Sequence, residues 1–489
     1  MTATTDIPAI LAEAEKAKKI NWDRLDTQIE HEGRAIKLPG DPGKMPITKA
    51  IEALQRKQKD EETMVAVHEV IDGHPFDGLV AFVKAMSNLY GWSSPVPTPG
   101  FFGPKPPQMI SVKTGHRDAD VIQCPHGSFI LPGVDNPIQT HMGPYGVRGQ
   151  PALVIAGEVR KREKHLLLEL ANEARRIVKE ESIYRGKAIR FGVDDEGNVD
   201  MGTPPEFMDT SMVTEDNLLF NANIKEQINT NILVPMKETA RCRKLKVPLK
   251  RGILLEGPYG TGKSLTAAMA AKVAEDNGWT FILLDKVQGL RAALEFANRY
   301  SPAVVFAEDI DRIATVRDEK ANDLINTIDG VVSKRSEIMT ILTTNFAESL
   351  NPVILRPGRL DAVISLRAPD VDTVVRLIRF YAGDLLSSSE SLVKSAKELA
   401  GQIPASIREC VERAKLGMIG RGDNKLSDID ILTAAETMKN HLKLLNKDQA
   451  EPSVAQVLAD SLKKVVQNGS GESLAIIKDQ VEDIYNNVC

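Results

Sequence analysis

The chain has 489 residues, 42% hydrophobic and 26% charged, with a formal net charge of −5. That length exceeds a single hydrophobic core and implies about three domains, and the charge gives no general bias toward nucleic acid or anionic membrane. The four cysteines, Cys124, Cys242, Cys410 and Cys489, lack C-x-x-C spacing, which suits reduced thiols better than a disulfide framework. The first residues lack the basic-then-apolar order of a signal peptide, and no apolar run approaches the ~20 residues of a membrane span. The expectation is a cytoplasmic chain without membrane partners.

Residues 1–94 read as a helical region, with charged helical patterns over Ala9–Lys19 and Ile47–Lys57 and a more apolar one over Leu79–Leu89. His68 and His74 resemble a zinc-binding helix only superficially. The residue four after His68 is Asp72, so the two histidines cannot share one helical face. The proline-dense stretch 95–107 imposes extended backbone and reads as a stiff linker. From 108 to 210 short β-like runs (Met109–Val112, Ser128–Leu131, Leu153–Ala156) accompany an amphipathic helix over Glu158–Glu181 and a strand over Arg185–Phe191 ended by a turn at Asp194–Gly197. This is an α+β domain for a substrate or adaptor. Cys124 and His126 within it make two ligands, which do not make a metal site. A helix over Asn223–Thr239 then leads into the basic run Arg241–Arg251. Its charges alternate with Leu245, Val247 and Leu249 and lack aromatic stacking partners, so it reads as a solvated face rather than a nucleic-acid contact.

The chemistry begins where the apolar run Ile253–Leu255 meets Gly257, Pro258, Tyr259, Gly260, Thr261, Gly262, Lys263 and Ser264, with Leu265 opening a helix-favouring stretch. The spacing G-x-x-x-x-G-K-S after a strand suits a phosphate cradle. Glycines let backbone N–H groups turn inward, and the helix N-terminus adds a positive dipole end. Lys263 would reach the β/γ-phosphates of ATP, and the Ser264 hydroxyl would hold Mg²⁺. A second apolar strand, Val304–Ala307, ends in Glu308, Asp309 and, after Ile310, Asp311, as a parallel strand must if its carboxylates are to meet the metal beside the loop. One acid should hold Mg²⁺ and the next orient the attacking water. A third buried strand, Ile338–Thr344, ends in Asn345, which can position that water. Arg356 and Arg359 flank a Pro-Gly turn and suit charge stabilisation at a phosphate, including one in a neighbouring subunit.

In this order and spacing the chain, from about Asn221 to Leu416, resembles the AAA family of ATPases, in particular the module of FtsH and the proteasomal ATPases. The resemblance implies an α/β fold: a P-loop parallel-sheet ATPase core (211–365) and a C-terminal helical lid (366–445), followed by a helical tail (446–489). It makes Gly257–Ser264 the Walker A loop, Val304–Asp309 Walker B, Asn345 sensor 1, and Arg356 and Arg359 arginine fingers. Asn351–Asp361 is close to the family's "DPALLRPGRFD", and Gly401–Ile407 to its lid motif "GFSGADI", with Ser406 where other branches place an arginine. It also implies a homohexameric ring that hydrolyses ATP to remodel macromolecules, here a protein recruited by the N-terminal domains.

The chain departs from the family at two places. The usual Asp-Glu is inverted, so Glu308 takes the metal position and Asp309 the base position. The segment after Phe281–Asp285, Lys286-Val287-Gln288-Gly289, has no aromatic to grip a threaded chain, so weak or absent threading is expected, unless a loop near Val316–Lys320 supplies the grip. No H-E-x-x-H protease motif occurs. The alternatives are a nucleic-acid motor or loader, and a nucleotide-gated assembly scaffold with little turnover.

Overall fold

The computed structural model describes residues 28–31, 34–37, 47–91, 95–98, 103–145, 151–192, 203–215, 218–284, 287–310, 336–346, 350, 360–387 and 389–449, with the backbone alone for 28–31, 34–37, 47–50 and 440–449. A hairpin of β1 (Gln28–His31) and β2 (Arg34–Lys37) precedes helix α1 (Ile47–Glu61), strand β3 (Met64–Ile71) and helix α2 (Pro75–Tyr90). Proline fits the first turn of α2, where its missing N–H would have no helical partner, and Gly91 closes that helix at φ 76°. Then come β4 (Pro95–Val96), the hairpin β5 (Gln108–Lys113) and β6 (Val121–His126), β7 (Ser128–Phe129), β8 (Ile138–Gly143), β9 (Ala152–Arg160) and helix α3 (Lys164–Glu180). An antiparallel five-stranded sheet, β3-β9-β8-β7-β4, shares a core with α2 and α3 through Phe82, Phe129, Leu153, Leu167 and Leu170.

This sheet crosses two boundaries drawn from sequence. Strand β3, read as part of a helical region, pairs with β9 from Met64↔Arg160 to Ile71↔Leu153. Pro95 and Val96, read as the start of a linker, pair with Phe129 and Ser128 as the edge strand β4, a position where proline is tolerated. The helix expected from Glu158 starts at Lys164, because Glu158–Arg160 still belong to β9.

The second sheet contains β10 (Ala188–Phe191) and β11 (Glu206–Phe207). Helix α4 (Ala222–Ile228) follows and passes through a π-helical turn, Asn229–Leu233, into α5 (Val234–Lys237) and α6 (Thr239–Leu245). The turn lies just before Pro235, which has no N–H to continue the ladder. The rest alternates strand and helix: β12 (Arg251–Glu256), α7 (Lys263–Asp276), β13 (Thr280–Leu284), α8 (Leu290–Arg299), β14 (Ala303–Ala307), β15 (Ile338–Thr344) and β16 (Ala362–Ser365). The seven strands run β11-β10-β13-β14-β15-β12-β16, all parallel except β11. Every residue of β14 and β15 is buried, as in a parallel sheet covered on both faces. Ile253, Leu255, Val304, Phe306 and Ile341 join one core with α4 and α7. Their neighbours Leu254, Val305 and Leu342 join the other, with α8 and the first unit, the five-stranded sheet with α2 and α3.

The boundary at 210/211 therefore falls after two strands of the core sheet. Strand β10 pairs with β13 from Ala188↔Phe281 to Phe191↔Leu284, although the sequence groups it with the preceding α+β segment. Buried polar bonds reinforce the junction. Tyr300 Oη donates to Asp77 Oδ2 at 3.0 Å and accepts from the His74 backbone N–H at 2.8 Å, while Ser182 Oγ and the Ile183 N–H also donate to Asp77. Arg185 donates to the carbonyls of Arg299 and Ser301 at 2.8 and 2.7 Å. Burial raises the Asp77 pKa against the pull of its donors, and burial with nearby Arg299 lowers that of His74 to about 3, so its imidazole is neutral. The segment just before β14 is thus held by the start of α2 and by the turn after α3.

Helices α9 (Val371–Ala382), α10 (Val393–Leu399), α11 (Pro404–Arg421) and α12 (Asp428–Gln449) form a separate lid core around Val374, Ile378, Ile407, Val411 and Ile431. The tail beyond residue 449 and the helix expected at Ala9–Lys19 lie outside the described residues. Among the described residues no helix is long and apolar enough to cross a membrane.

Candidate nucleotide site

Strand order reverses at β12: β13, β14 and β15 lie on one side of it and β16 on the other. In open parallel sheets the crevice outside the carboxyl ends of the strands at such a point is where ligands sit. Here β12 ends in Gly257–Gly262, β14 in Glu308 and Asp309, and β15 in Asn345. A cavity of about 800 Å³ opens at these ends, large enough for a nucleotide.

The loop needs its glycines for space as well as for backbone conformation. Gly262, at φ 103°, starts α7, and a Cβ there would lie 2.9 Å from Phe220 Cζ. Lys263 stands at the first position of α7. Its ammonium donates to the Gly257 and Pro258 carbonyls and to Asn345 Oδ1 at 2.7 Å, and lies 5.7 Å from the exposed Tyr259 ring centre. Ser264 Oγ donates to Glu308 Oε1 at 2.9 Å. A hydroxyl and a carboxylate side by side form a hard-oxygen pair suited to Mg²⁺.

Asp309 is held differently. Its backbone is left-handed at φ 51°, a region that aspartate tolerates better than most side chains. Its N–H donates to Thr343 Oγ1 at 3.0 Å, and its carboxylate accepts from Asn345 Nδ2 at 3.0 Å. The two acids therefore face different partners, Glu308 the hydroxyl of Ser264 and Asp309 the amide of Asn345. Arg356, Arg359 and Asp311 lie outside the described residues, as do Asp285, Lys286 and Val316–Lys320. Val287 is buried in the core that includes Leu290 and Leu294 of α8.

Several lining residues carry no motif. Leu219 and Phe220, ahead of α4, and Leu377, Phe380 and Tyr381, on α9, give the cavity apolar and aromatic lining, and Ala405, Arg408, Glu409 and Glu412 on α11 also line it. Ser406 faces the opposite way, toward Leu399, Cys410 and Met438 inside the lid. The apolar pair before α4 and the period of three to four on α11 are the signals that could have found these residues.

Residues 253–368 match the family described as ATPase family associated with various cellular activities (AAA). The chain is 31% identical over 228 residues to 26S proteasome regulatory subunit 6A of Schizosaccharomyces pombe, covering 41% of this chain and 50% of that protein. It is 28% identical over 234 residues to proteasome-activating nucleotidase of Methanococcus vannielii, covering 43% and 56%. A third match, 28% over 233 residues, is ATP-dependent zinc metalloprotease FtsH 3 of Sphaerobacter thermophilus, covering 43% and 47%. The chain thus spans about half the length of the curated relatives it matches.

Proposed function

We propose that this chain, whose residues 253–368 match the AAA family of ATPases, hydrolyses ATP in a homohexameric ring to remodel a protein substrate in the cytoplasm. The observation that carries the reading is the convergence of Lys263, Ser264, Glu308, Asp309 and Asn345 at the carboxyl ends of three strands of one sheet. In it, Lys263 binds the β/γ-phosphates, and Ser264 and Glu308 would hold Mg²⁺, which supplies charge neutralisation at the phosphate oxygens. Asp309, oriented by Asn345, accepts the proton of the attacking water. Arg356 and Arg359 act on the nucleotide of the adjacent subunit. The names of the relatives tie them to a proteasome or to ATP-dependent proteolysis, which supports a protein substrate. The first unit recruits it, and the burial of Val287 favours action through that unit rather than by threading.

Steady-state phosphate release, measured with and without DNA, tests the reading. Turnover independent of DNA is expected; turnover that requires DNA would instead indicate a nucleic-acid motor. A low-turnover scaffold is favoured by one observation, the inverted acids with Asp309 in a left-handed conformation, and release no faster than buffer hydrolysis would support it. The division of labour between the acids gives a sharper expectation. Asp309→Asn should bind ATP–Mg²⁺ with wild-type Mg²⁺ dependence yet hydrolyse it roughly 100-fold more slowly, the usual scale of a lost general base. Glu308→Gln should raise the Mg²⁺ concentration needed for half-maximal binding. Superimposable Mg²⁺ titrations of the two variants would refute the assignment.

A further inference from the structure

The two residues in front of α4 are both tied to the lid. Asn221 stands at the N-cap position of α4, where an asparagine ordinarily accepts from an N–H of the first turn, but it makes no such bond. Its side chain instead serves the segment that enters α9: Oδ1 accepts from the Asp370 N–H at 3.0 Å, and Nδ2 donates to the Ala368 carbonyl at 3.4 Å. Beside it, the Phe220 carbonyl accepts from Arg376 Nη2 at 2.9 Å. That guanidinium is steadied on its own helix, where it also donates to Thr373 Oγ1 at 2.8 Å, one turn back along α9.

The Phe220 ring packs against the phosphate loop. It is buried and lines the cavity, and a Cβ on Gly262 would lie 2.9 Å from its Cζ and 3.0 Å from its Cε1. Gly262 immediately precedes Lys263 and Ser264, so the ring rests on the backbone that aims both of those side chains. Close-packed groups pass small displacements on, so the place at which Arg376 holds the Phe220 carbonyl sets the place at which the ring meets Gly262. The lid touches the loop again at Gly260, whose carbonyl accepts from the Ala405 N–H at 3.3 Å. The bond from Arg376 is the shorter of the two and carries a charge on its donor, which makes such a bond roughly twice as strong as a neutral one.

We propose that Arg376 is a positioning residue for nucleotide binding: from the lid it fixes the backbone of Phe220, and through the Phe220 ring it fixes the seat of Gly262 and the phosphate loop. Arg376 is not among the residues that line the cavity, so it acts through Phe220 and not on the nucleotide. The inference rests on the reading of the cavity as an ATP site. Its test is a titration of the full-length chain with a fluorescent ATP analogue in Mg²⁺, alongside steady-state hydrolysis, for wild type, Lys263→Ala, Arg376→Ala, Arg376→Lys, Phe220→Leu and the double variant of Arg376→Ala with Phe220→Leu. Arg376→Ala should bind roughly 5- to 10-fold more weakly, most of the scale of a lost hydrogen bond to a charged group. KM should rise in step with kcat nearly unchanged, the pattern of lost binding common to ground and transition states. Arg376→Lys keeps a donor and should recover most of the loss. Phe220→Leu keeps the carbonyl but not the ring, and in that background removing Arg376 should cost less than about twofold, because residues that act through one contact are not additive. If wild type binds and Lys263→Ala does not, but Arg376→Ala binds within twofold of wild type and only its ligand-free melting temperature falls, Arg376 merely holds the lid together and the inference fails. It fails equally if the losses of the two single variants multiply in the double variant. Should Phe220→Leu not fold, equal affinities of Arg376→Ala and Arg376→Lys would overturn it. If wild type itself does not bind, the ATP-site reading falls and the inference with it.

Discussion

Replacing Lys263 by alanine is expected to remove nucleotide binding from a chain that remains folded. The ammonium's hydrogen bonds to two carbonyls of its own loop and to the side chain of Asn345 all lie within the site. Against a bound triphosphate each charge-assisted bond would be worth about 1.5–3 kcal/mol, and a lysine placed to reach two phosphates would lose two of them, so a loss of at least roughly 100-fold in affinity is expected. The thermal shift that ATP–Mg²⁺ gives the wild type should vanish with it, because stabilisation by a ligand scales with occupancy. Isothermal titration and a melting curve check both halves. Wild-type affinity in Lys263→Ala would remove the phosphate-loop assignment, and an unfolded variant would show that the lysine holds the loop rather than the ligand.

A fragment that begins at residue 211 should fail to fold, although sequence patterning alone makes it the natural ATPase module. It lacks β10 and β11, which leaves β13 as an open sheet edge. It also strips the first unit from α8, exposing Leu290, Leu294, Phe296 and Tyr300, which are buried beside Phe191 and Tyr184. At about 1.5–3 kcal/mol per large apolar side chain the loss is on the order of 10 kcal/mol, comparable with the whole stability of a domain. Soluble yield and far-ultraviolet circular dichroism report the outcome. A cooperative melt from the 211–489 fragment, with ATP bound, would mean that the two units are independent after all.

Legibility from sequence followed the range of the interactions. The convergence of the phosphate loop, the acids after Ala307 and the asparagine after Thr344 was legible because each motif is written in consecutive residues. The buried strands were legible because both of their faces are apolar. Strand β3 was not: Met64–Ile71 carries His68 and Glu69, its outward side chains alternate only weakly, and its partner β9 lies some ninety residues away. Strand β10 looked complete within its own neighbourhood, yet the edge it pairs with follows the phosphate loop. Arg408 sits just past the end of the lid motif, and the residue inside that motif, Ser406, turns into the lid instead.

The pairing of Ala188 with Phe281 has a consequence for biosynthesis. Roughly ninety residues separate the partners, and at 5–20 residues per second a ribosome needs on the order of 5–20 s to cover that distance. During that interval the five-stranded unit is already made, while Phe191 and Tyr184 await the helix that will cover them. The first unit therefore offers β10 as an edge on which β13, β14 and β15 can pair in their order of synthesis, whereas β12, made before them, joins on the far side of β15. A chain refolding from denaturant has no such order of arrival. It must find the same long-range pairing among competing apolar strands, and its yield should fall below that of synthesis in the N-to-C direction.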